Sequence, residues 1–282
     1  MVIDLHTHST ASDGTEAPAT VVQRAAEHGV HVLALTDHDT TRGWVEAGEA
    51  ALSHGVTLVP GIEVSCTRHG RSIHLLAYLP DPEHAGLLAE LERARDSRET
   101  RLDRIVQRMA DDGIPLTIAQ VRDQVGEGAT AGRPHIADAL VASGVVVDRD
   151  EAFVRFLGND SPYYVRHYAP DVVRAVELVR AAGGVPVIAH PWSGTRGPAV
   201  SDDLVEEAAA AGLAGLEIHH RDHDPDAVRH LTMLARGLDL LVTGSSDYHG
   251  DGKPNRLAEH TTEPGVLEVI EAQGHGTRII RP

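Results

Sequence analysis

Short apolar runs alternate along the chain with longer segments whose apolar side chains recur at helical spacing. The runs at 2–5, 30–35 and 56–59 are short enough for buried strands, and each leads into polar residues. Segments 18–28 and 41–54, which separate these runs, place apolar side chains on one face of a helix. Such alternation predicts a sheet of parallel strands with helices outside it.

The alternation lapses between residues 82 and 165, where helical spacing predominates. Further strands are predicted at 71–79, 185–189, 215–218, 240–243 and 276–280. We therefore predict an α/β fold, a distorted (βα)7 TIM-like barrel formed by residues 1–81 and 166–282, with a helical insertion at 82–165. Extra structure in such barrels collects at the mouth, so we expect the insertion to form a substrate-binding lid. We interpret the charged helix face at 90–104 as a solvated surface.

Polar clusters follow the predicted strands. His6 and His8 alternate on the first strand, so both side chains project from one face and can reach one ion. Later strands carry or lead to Thr36-Asp37-His38-Asp39, Glu63, His74, His190 and Asp247-Tyr248-His249. In barrels of this kind the chemistry collects at the carboxyl ends of the strands. Histidine and carboxylates without cysteine suit Mn²⁺, Fe²⁺ or Zn²⁺, so the sequence predicts a metal centre there.

Composition and charge narrow the class of protein. The chain has 282 residues, a formal net charge of −17 and one cysteine, Cys66. It contains no apolar run of about 18 residues and no signal-like start, so we expect a cytoplasmic protein without a membrane segment. One cysteine excludes an intrachain disulfide, and we interpret Cys66 as a small buried side chain. The negative charge argues against broad binding of duplex nucleic acid.

Segment 4–14, DLHTHSTASDG, matches the pattern D-x-H-x-H-S-x-x-S-D-G. It resembles the opening motif of the PHP (polymerase and histidinol phosphatase) family. The polar groups of the later strands resemble the remaining metal motifs of that family, in the same order. The resemblance runs from residue 2 to about residue 250, and it implies a metal-dependent phosphoesterase with two or three divalent ions.

The metal ligands that the resemblance implies fall into three sets. They are His6, His8, Glu63 and Asp247 for one ion, Glu63, His74 and His190 for a second, and Asp13, His38 and His249 for a third. Glu63 would bridge two ions and, with Asp247, is an implied catalytic residue. Asp37 and Asp39 are expected to accept hydrogen bonds from ligating imidazoles.

Other residues are candidates for proton transfer and substrate binding. Only one of His219 and His220 can face inward from a strand, and His220 or His223 is a candidate acid for the leaving group. Lys253 follows the last ligands on the same loop and is a candidate substrate contact.

The segment Ala131-Gly132-Arg133-Pro134-His135 places a cation and an imidazole at a helix start, where anions bind favourably. Its spacing alone favours a surface arginine and a capping turn. PHP nucleotide phosphatases carry a similar segment in a helical insertion. That resemblance implies instead that Arg133 and His135 bind substrate phosphate.

The resemblance covers nearly the whole chain, insertion included, and is to the TrpH-like PHP phosphoesterases. It implies removal of the 3′-phosphate from 3′,5′-bisphosphonucleotides and exonuclease trimming of short RNA from the 5′ end. The expected partner is therefore a small phosphorylated substrate. The alternatives are a histidinol-phosphate-type phosphomonoesterase and a PHP module that serves as a structural or interaction domain without catalysis. Complete ligand motifs argue against the module without catalysis, because a site that has lost its activity has no need for so many buried ionisable groups.

Overall fold

Seven strands form one curved sheet in the computed structural model, which describes residues 1–192 and 199–282. In chain order they are β1 (Ile3–Thr7), β2 (Val32–Leu35), β3 (Thr57–Arg68), β4 (Arg71–Tyr78), β5 (Val185–Ile188), β6 (Gly215–His219) and β7 (Leu241–Gly244). Each strand pairs with the next one along the chain. Thr7 also pairs with Tyr248, just beyond β7, so the sheet curls into a nearly closed barrel. The predicted fold class is confirmed.

Helices surround this barrel. In the described residues they are α1 (Pro18–Glu27), α2 (Trp44–His54), α3 (Ala85–Asp111), α4 (Ile118–Arg122), α5 (Arg133–Ala142), α6 (Arg149–Ala152), α7 (Val172–Ala181), α8 (Asp202–Ala210), α9 (Pro225–Gly237) and α10 (Pro264–Gln273). A π-helical segment, Phe153–Leu157, follows α6. None of the described helices combines the length and apolar character needed to cross a membrane. The cytoplasmic location stays a prediction.

The sheet departs from the prediction at β4, which is antiparallel to both β3 and β5. His69 and Gly70 turn the chain between β3 and β4 with positive φ angles of 49° and 78°. Two residues are too few for the crossover that parallel strands need. The prediction of parallel strands is therefore wrong here. The hairpin places His74 directly opposite Ser65, in the middle of a strand pair rather than at a strand end.

The predicted strand at 276–280 is also wrong. Ile280 makes only a single antiparallel bridge to Leu58, with hydrogen bonds of 2.8 and 2.9 Å in the two directions. This short contact holds the C-terminal segment against β3. β4 pairs with β3 only from Gly61 onward, so Ile280 contacts the short free edge of β3 before that residue.

Helix α3 joins the barrel to the helical segment between β4 and β5. Leu87 and Leu91, near its start, belong to the core that packs against the sheet. Leu102, Ile105 and Met109, further along, belong to a separate core shared with α5. One continuous helix therefore fixes the insertion relative to the barrel. The division at 82 and 165 stays a prediction, because α3 contributes to both cores.

Candidate metal centre

The nine predicted metal ligands converge at one mouth of the barrel. They are His6 in β1, His8 and Asp13 after it, His38 after β2, Glu63 in β3, His74 in β4, His190 after β5, and Asp247 and His249 after β7. Eight of them are buried, and the His74 side chain is 17% exposed. Because the ligands come from six of the seven strands or the loops after them, the barrel itself assembles the site.

Four of these side chains surround one point. The Nε2 atoms of His6 and His8 lie 3.1 Å apart. Oε2 of Glu63 is 3.3 Å and 3.0 Å from these two nitrogens, and Oδ1 of Asp247 is 3.4 Å and 3.5 Å from them. Ligand atoms about 2.0–2.2 Å from one ion lie roughly 3–3.5 Å from one another. The spacing of this group therefore fits one divalent ion.

Glu63 stands at the middle of the cluster. Its Oε1 lies 2.7 Å from Nδ1 of His74 and 3.0 Å from Nε2 of His190. Its Oε2 faces His6 and His8 and lies 3.2 Å from Nδ1 of His38. Burial opposes the charge on this carboxyl, but the charges of His38 and His74 hold its pKa well below the ordinary value. The two oxygens of one carboxylate thus face two different groups of imidazoles, which is the arrangement of a bridging ligand.

Asp13 gathers a third group. Its Oδ1 lies 3.3 Å from Nε2 of His249 and 3.7 Å from Nδ1 of His8, and its Oδ2 lies 3.8 Å from Nε2 of His38. These four side chains offer ligand atoms that all lie within 4.8 Å of one another. A second compact group joins His38 to Glu63 and His74. His38 therefore stands between two groups, and the assignment of ligands to individual ions stays a prediction.

Several buried atoms of the centre have no hydrogen-bond partner among the described residues. They are Nδ1 of His38, Oε2 of Glu63 and Nε2 of His249. An unsatisfied buried polar group costs about 1–3 kcal/mol. A cation removes this cost, because each lone pair can then coordinate it. Nitrogen and oxygen donors without sulfur fit Mn²⁺, Fe²⁺ or Zn²⁺, so the residues present are suited to divalent ions.

Glu217, which sequence reasoning missed, hydrogen-bonds to the imidazole of one predicted ligand and to the backbone of another. Nδ1 of His6 donates to its Oε1 at 2.9 Å, and the backbone N–H of His190 donates to its Oε2 at 2.8 Å. The Ser245 hydroxyl donates to Oε1 as well. Donation from Nδ1 leaves the Nε2 lone pair of His6 facing the other ligands, which is how carboxylates orient ligating histidines.

The charge of Glu217 is maintained although the residue is fully buried. Burial opposes ionisation, but the charge of His6 and its hydrogen bond hold the pKa of Glu217 well below the ordinary value. The sequence did carry a signal, since Glu217 stands between Leu216 and Ile218 in the middle of the strand Gly215–His219. A carboxylate in such a run is costly to bury without a partner.

We expect Glu217→Gln to weaken metal binding by roughly 10- to 100-fold, the usual effect of losing a carboxylate behind a ligating histidine. Competition with a metal-binding dye at fixed pH measures this affinity. The matched control is Glu206→Gln, because Glu206 lies on α8 and its side chain is exposed to solvent. Equal affinities for wild type and Glu217→Gln would contradict the orienting role.

Asp37 and Asp39 serve the loops and not the imidazoles. Asp37 accepts hydrogen bonds from the backbone and hydroxyl of Ser9, at 2.8 and 2.7 Å, and from the hydroxyl of Ser12 at 2.6 Å. Asp39 accepts from the backbone and hydroxyl of Ser65, at 2.7 and 2.6 Å. The prediction that they bind ligating imidazoles directly is wrong, because serine donors occupy their oxygens.

His220 faces the metal centre, whereas its neighbour His219 is exposed, as strand alternation predicts. Nδ1 of His220 accepts the backbone N–H of Asp222 at 3.1 Å. The proton of the neutral ring therefore lies on Nε2, which is 3.6 Å from Oδ2 of Asp247. This buried Nε2 has no hydrogen-bond partner within the described part of the chain.

His223 has a different setting. Its Nδ1 donates to the backbone oxygen of Ile218 at 2.7 Å, and its Nε2 accepts the backbone N–H of Trp192 at 3.1 Å. Both ring nitrogens are thus used to join the ends of β5 and β6. Burial lowers the pKa of His223, which keeps the ring neutral. This arrangement makes His223 a brace between two loops.

The three predicted substrate contacts lie in different places. Lys253 is at the metal centre, where its Nζ donates to Oδ2 of Asp247 at 3.0 Å. His135 is buried, and its Nδ1 accepts the backbone N–H of Gly132 at 3.0 Å in a capping interaction. Nη1 of Arg133 donates to the backbone oxygen of Leu157 at 2.6 Å and to Oδ1 of Asn159 at 3.0 Å. Arg133 is therefore held within the insertion at the start of α5.

Two further cations, Arg98 and Arg101, pack beside Arg133 around a closed gap that has no space for a water-sized molecule. Arg101 is only 7% exposed, and among the described residues its Nε has no hydrogen-bond partner. Burial and the charges of Arg133 and Arg98 lower the pKa of Arg101 to about 9. The interpretation of 90–104 as a solvated surface is wrong for these two arginines. Clustered cations with unused donors are suited to an anion.

Arg98 connects this cluster, which we call the arginine cluster (Arg98, Arg101 and Arg133), to the barrel. Its Nε donates to Oδ2 of Asp39 at 3.0 Å, and its Nη2 donates to the hydroxyl of Ser65, the cross-strand neighbour of His74. His167 lies close by, and burial with the charges of Arg98 and Arg101 lowers its pKa to about 2. The arginine cluster therefore lies next to the His74 side of the metal centre.

A barrel whose mouth gathers histidines and carboxylates around one shared glutamate has the donor set of a metal-dependent phosphoesterase, and the comparisons with known proteins agree. The model of the PHP domain matches residues 4–115. The chain belongs to the PHP family.

Similarity to members of this family extends over nearly the whole chain. A 3′,5′-nucleoside bisphosphate phosphatase from Chromobacterium violaceum is 33% identical over 99% of this chain and 98% of its own length. A 5′-3′ exoribonuclease from Haemophilus influenzae is 35% identical over 87% of this chain and 89% of its own length. The crystal structure of a Bifidobacterium adolescentis protein described as a metal-dependent phosphoesterase has a TM-score of 0.94 and 40% identity, and the match covers 97% of this chain and 96% of that one.

Proposed function

We propose that this chain removes the 3′-phosphate from 3′,5′-bisphosphonucleotides and also trims short RNA from its 5′ end. Two or three Mn²⁺, Fe²⁺ or Zn²⁺ ions would serve as cofactors. The observation that carries the proposal is the arginine cluster beside the metal centre, three guanidiniums with the unused Nε of Arg101, which would bind an anion by moving apart. The names of the two relatives, a nucleoside bisphosphate phosphatase and a 5′-3′ exoribonuclease, support it.

Both reactions break the same bond. A bisphosphonucleotide and a 5′-phosphorylated RNA each carry a 5′-phosphate one nucleoside away from a phosphate on the 3′-oxygen. Water adds to that second phosphorus, the bond to the 3′-oxygen breaks, and the 3′-oxygen leaves as a hydroxyl. One site for the 5′-phosphate and one for the reacting phosphate therefore serve both substrates.

Divalent ions bound by the nine ligands would supply a nucleophile from water and neutralise charge on the reacting phosphate. The chain holds the ligands for this task. Glu63 presents one oxygen to each of two imidazole groups, and Glu217 fixes the ring of His6. The burial of these groups strengthens their interaction with phosphate, because little water screens them.

The arginine cluster would bind the 5′-phosphate. A guanidinium offers two parallel N–H donors to one phosphate, and the unused Nε of Arg101 is one such donor. Arg98 is fixed by Asp39 and Ser65, so it holds the cluster at a set position relative to the metal centre. A substrate with phosphates at both ends of one nucleoside can then engage both places.

His220 would protonate the leaving 3′-oxygen. Its Nε2 carries the proton in the neutral ring and faces the centre, whereas both nitrogens of His223 are already engaged. We therefore assign the acid to His220 and a bracing role to His223. Lys253 Nζ, held at Oδ2 of Asp247, would contribute a positive charge to the same phosphate.

We expect Arg101→Ala to lower kcat/KM for a 3′,5′-bisphosphonucleotide by roughly ten- to a hundredfold, since charge-assisted hydrogen bonds contribute about 1.5–3 kcal/mol. Arg133→Ala should also lower kcat/KM for the bisphosphonucleotide. The kcat/KM for para-nitrophenyl phosphate, which has one phosphate, should fall much less. The measurement is phosphate release from both substrates with each variant.

Arg104→Ala is the matched control, because Arg104 lies on the same helix three residues from Arg101 and is exposed. Equal losses on both substrates would assign Arg101 to the fold or the metal centre, and no loss on either would remove it from substrate binding. Histidinol phosphate belongs in the same panel. Faster hydrolysis of histidinol phosphate than of any bisphosphonucleotide would favour the phosphomonoesterase alternative.

A further inference from the structure

A groove of about 800 Å³ opens on the other side of the metal centre from the arginine cluster. It lies between α1, the α5–α6 region of the insertion and the loop at 248–257. Lys253 lines it and contacts the ligand Asp247, while Arg149 links its walls by donating to backbone oxygens of Asp13 and Gly252 at 3.3 and 3.4 Å. The groove thus reaches the metal centre through Lys253, which contacts Asp247, and through Arg149, which contacts the backbone of Asp13.

Two further cations line this groove. Arg24 on α1 forms an ion pair with Glu16, whereas Arg256 lies on the loop at 248–257. Arg256 is exposed, and within the described residues its guanidinium has neither a hydrogen bond nor an ion pair. The groove is lined by four cations (Arg24, Arg149, Lys253 and Arg256) and four carboxylates (Asp138, Asp148, Asp150 and Asp251), so it is less acidic than the chain as a whole, whose net charge is −17.

The acidic side chains of the groove do not cancel these cations evenly. Asp138 forms a bidentate ion pair with Arg149, whose Nε and Nη2 donate to the two carboxylate oxygens at 2.6 Å each. Asp148 caps α6 by accepting the backbone N–H of Glu151 at 2.8 Å. Asp150 and Asp251 are exposed at the rim, where water and salt screen them. Arg256 keeps its charge available for a ligand.

We infer that this groove holds the downstream part of a 5′-phosphorylated oligonucleotide, the nucleotides that follow the phosphate at the metal centre. The inference rests on the proposed function and extends it, because a bisphosphonucleotide ends at the reacting phosphate and does not need the groove. An oligonucleotide carries a second ester on that phosphate, through the 5′-oxygen of the next nucleotide. That chain has to leave the centre, and the groove reaches the centre through Lys253 and Arg149.

The groove matches the chemistry of a single strand. Phosphates would meet Lys253, Arg24 and Arg256, and bases would meet the half-buried ring of Tyr248, since aromatic side chains stack on any base. In the reaction, water adds to phosphorus and the bond to the first nucleotide's 3′-oxygen breaks. The first nucleotide leaves with a 3′-hydroxyl, and the phosphate stays on the 5′-oxygen of the shortened chain in the groove.

The test compares two substrates, a 3′,5′-bisphosphonucleotide and a 5′-phosphorylated trinucleotide, with wild type and Arg256→Glu. We expect Arg256→Glu to lower kcat/KM for the trinucleotide about fivefold or more at low salt and to reduce its salt dependence by about one phosphate contact. The kcat/KM for the bisphosphonucleotide should change less than about twofold, because this substrate does not reach Arg256.

Arg278→Glu is the matched control. It makes the same change of charge at an exposed arginine close to Ile280, which bridges Leu58 near the amino end of β3 and so lies away from the mouth. Trinucleotide turnover should be unchanged by this variant. Equal losses in the two variants would mean that net charge alone acts, and this would overturn the groove assignment.

A second measurement locates the strand directly. A trinucleotide with a photoreactive 3′-terminal 4-thiouridine should crosslink to the loop at 248–257 or to α1, and crosslinks confined to other surfaces would overturn the inference. The outcomes also separate the two proposals. Wild type that cleaves both substrates, with trinucleotide turnover unaffected by Arg256→Glu, refutes the groove alone. Wild type that cleaves only the bisphosphonucleotide refutes RNA trimming and the groove, and wild type that cleaves neither refutes the whole proposed function.

Discussion

Replacing Glu63 with alanine is expected to lower phosphate release by roughly a thousandfold or more, even with divalent ions in excess. The two oxygens of Glu63 face two groups of imidazoles at 2.7–3.3 Å. Without Glu63, two neighbouring ions would lose the ligand that they share. The transition state would then lose several kcal/mol of charge stabilisation. The measurement is kcat for the bisphosphonucleotide, together with the metal content of each preparation.

Glu83→Ala supplies the control for this variant, because Glu83 is exposed just before α3. Its activity and metal content should match those of wild type. Chelation of wild type should also remove activity, and re-addition of Mn²⁺, Fe²⁺ or Zn²⁺ should restore it. Full turnover by a metal-free preparation would refute the metal-dependent mechanism as a whole.

Replacing His220 with asparagine should lower kcat for the bisphosphonucleotide about 10²- to 10⁴-fold, the usual range for loss of a general acid. The 3′-alkoxide is a poor leaving group and needs the proton of Nε2. Para-nitrophenolate leaves without a proton, so turnover of para-nitrophenyl phosphate should fall much less. The comparison of these two leaving groups is the measurement, with metal content followed in parallel.

His223→Asn is the matched variant at the neighbouring histidine. Because both His223 nitrogens brace loops, this variant should lower the melting temperature without changing the ratio of the two rates. If His220→Asn slowed both substrates equally and also lost ions, His220 would be a metal ligand and not the acid.

The side chains predicted as ligands converge in the structure because metal coordination restricts residue type and spacing together, and their binding of ions stays a prediction. Alternation on β1 places His6 and His8 on one face, and the same rule correctly separated exposed His219 from buried His220. The turn at His69 and Gly70 was missed, since a long strand with a two-residue turn has the same apolar pattern as two strands in either direction.

The contacts between distant segments were beyond sequence reasoning. Arg98 and Arg101 lie on a charged helix that has the pattern of a solvated surface, and they are buried only because α3 crosses the barrel next to Asp39 and Ser65. Glu217 is 211 residues from His6 in the chain, so only the closed barrel shows that they are partners. Such pairs are decided by tertiary packing and not by local spacing.

The meeting of β1 with the segment after β7 also bears on how the protein is made. The ligand set extends from His6 to His249, so a growing chain exposes its opening metal motif long before the last ligands exist. Synthesis proceeds at about 5–20 residues per second, so the last predicted ligands are made on the order of ten seconds or more after the first histidines. A polypeptide that stops before β7 would hold ions weakly and hydrolyse nothing. Activity is therefore expected only from chains that extend past residue 249, where the last predicted ligand lies.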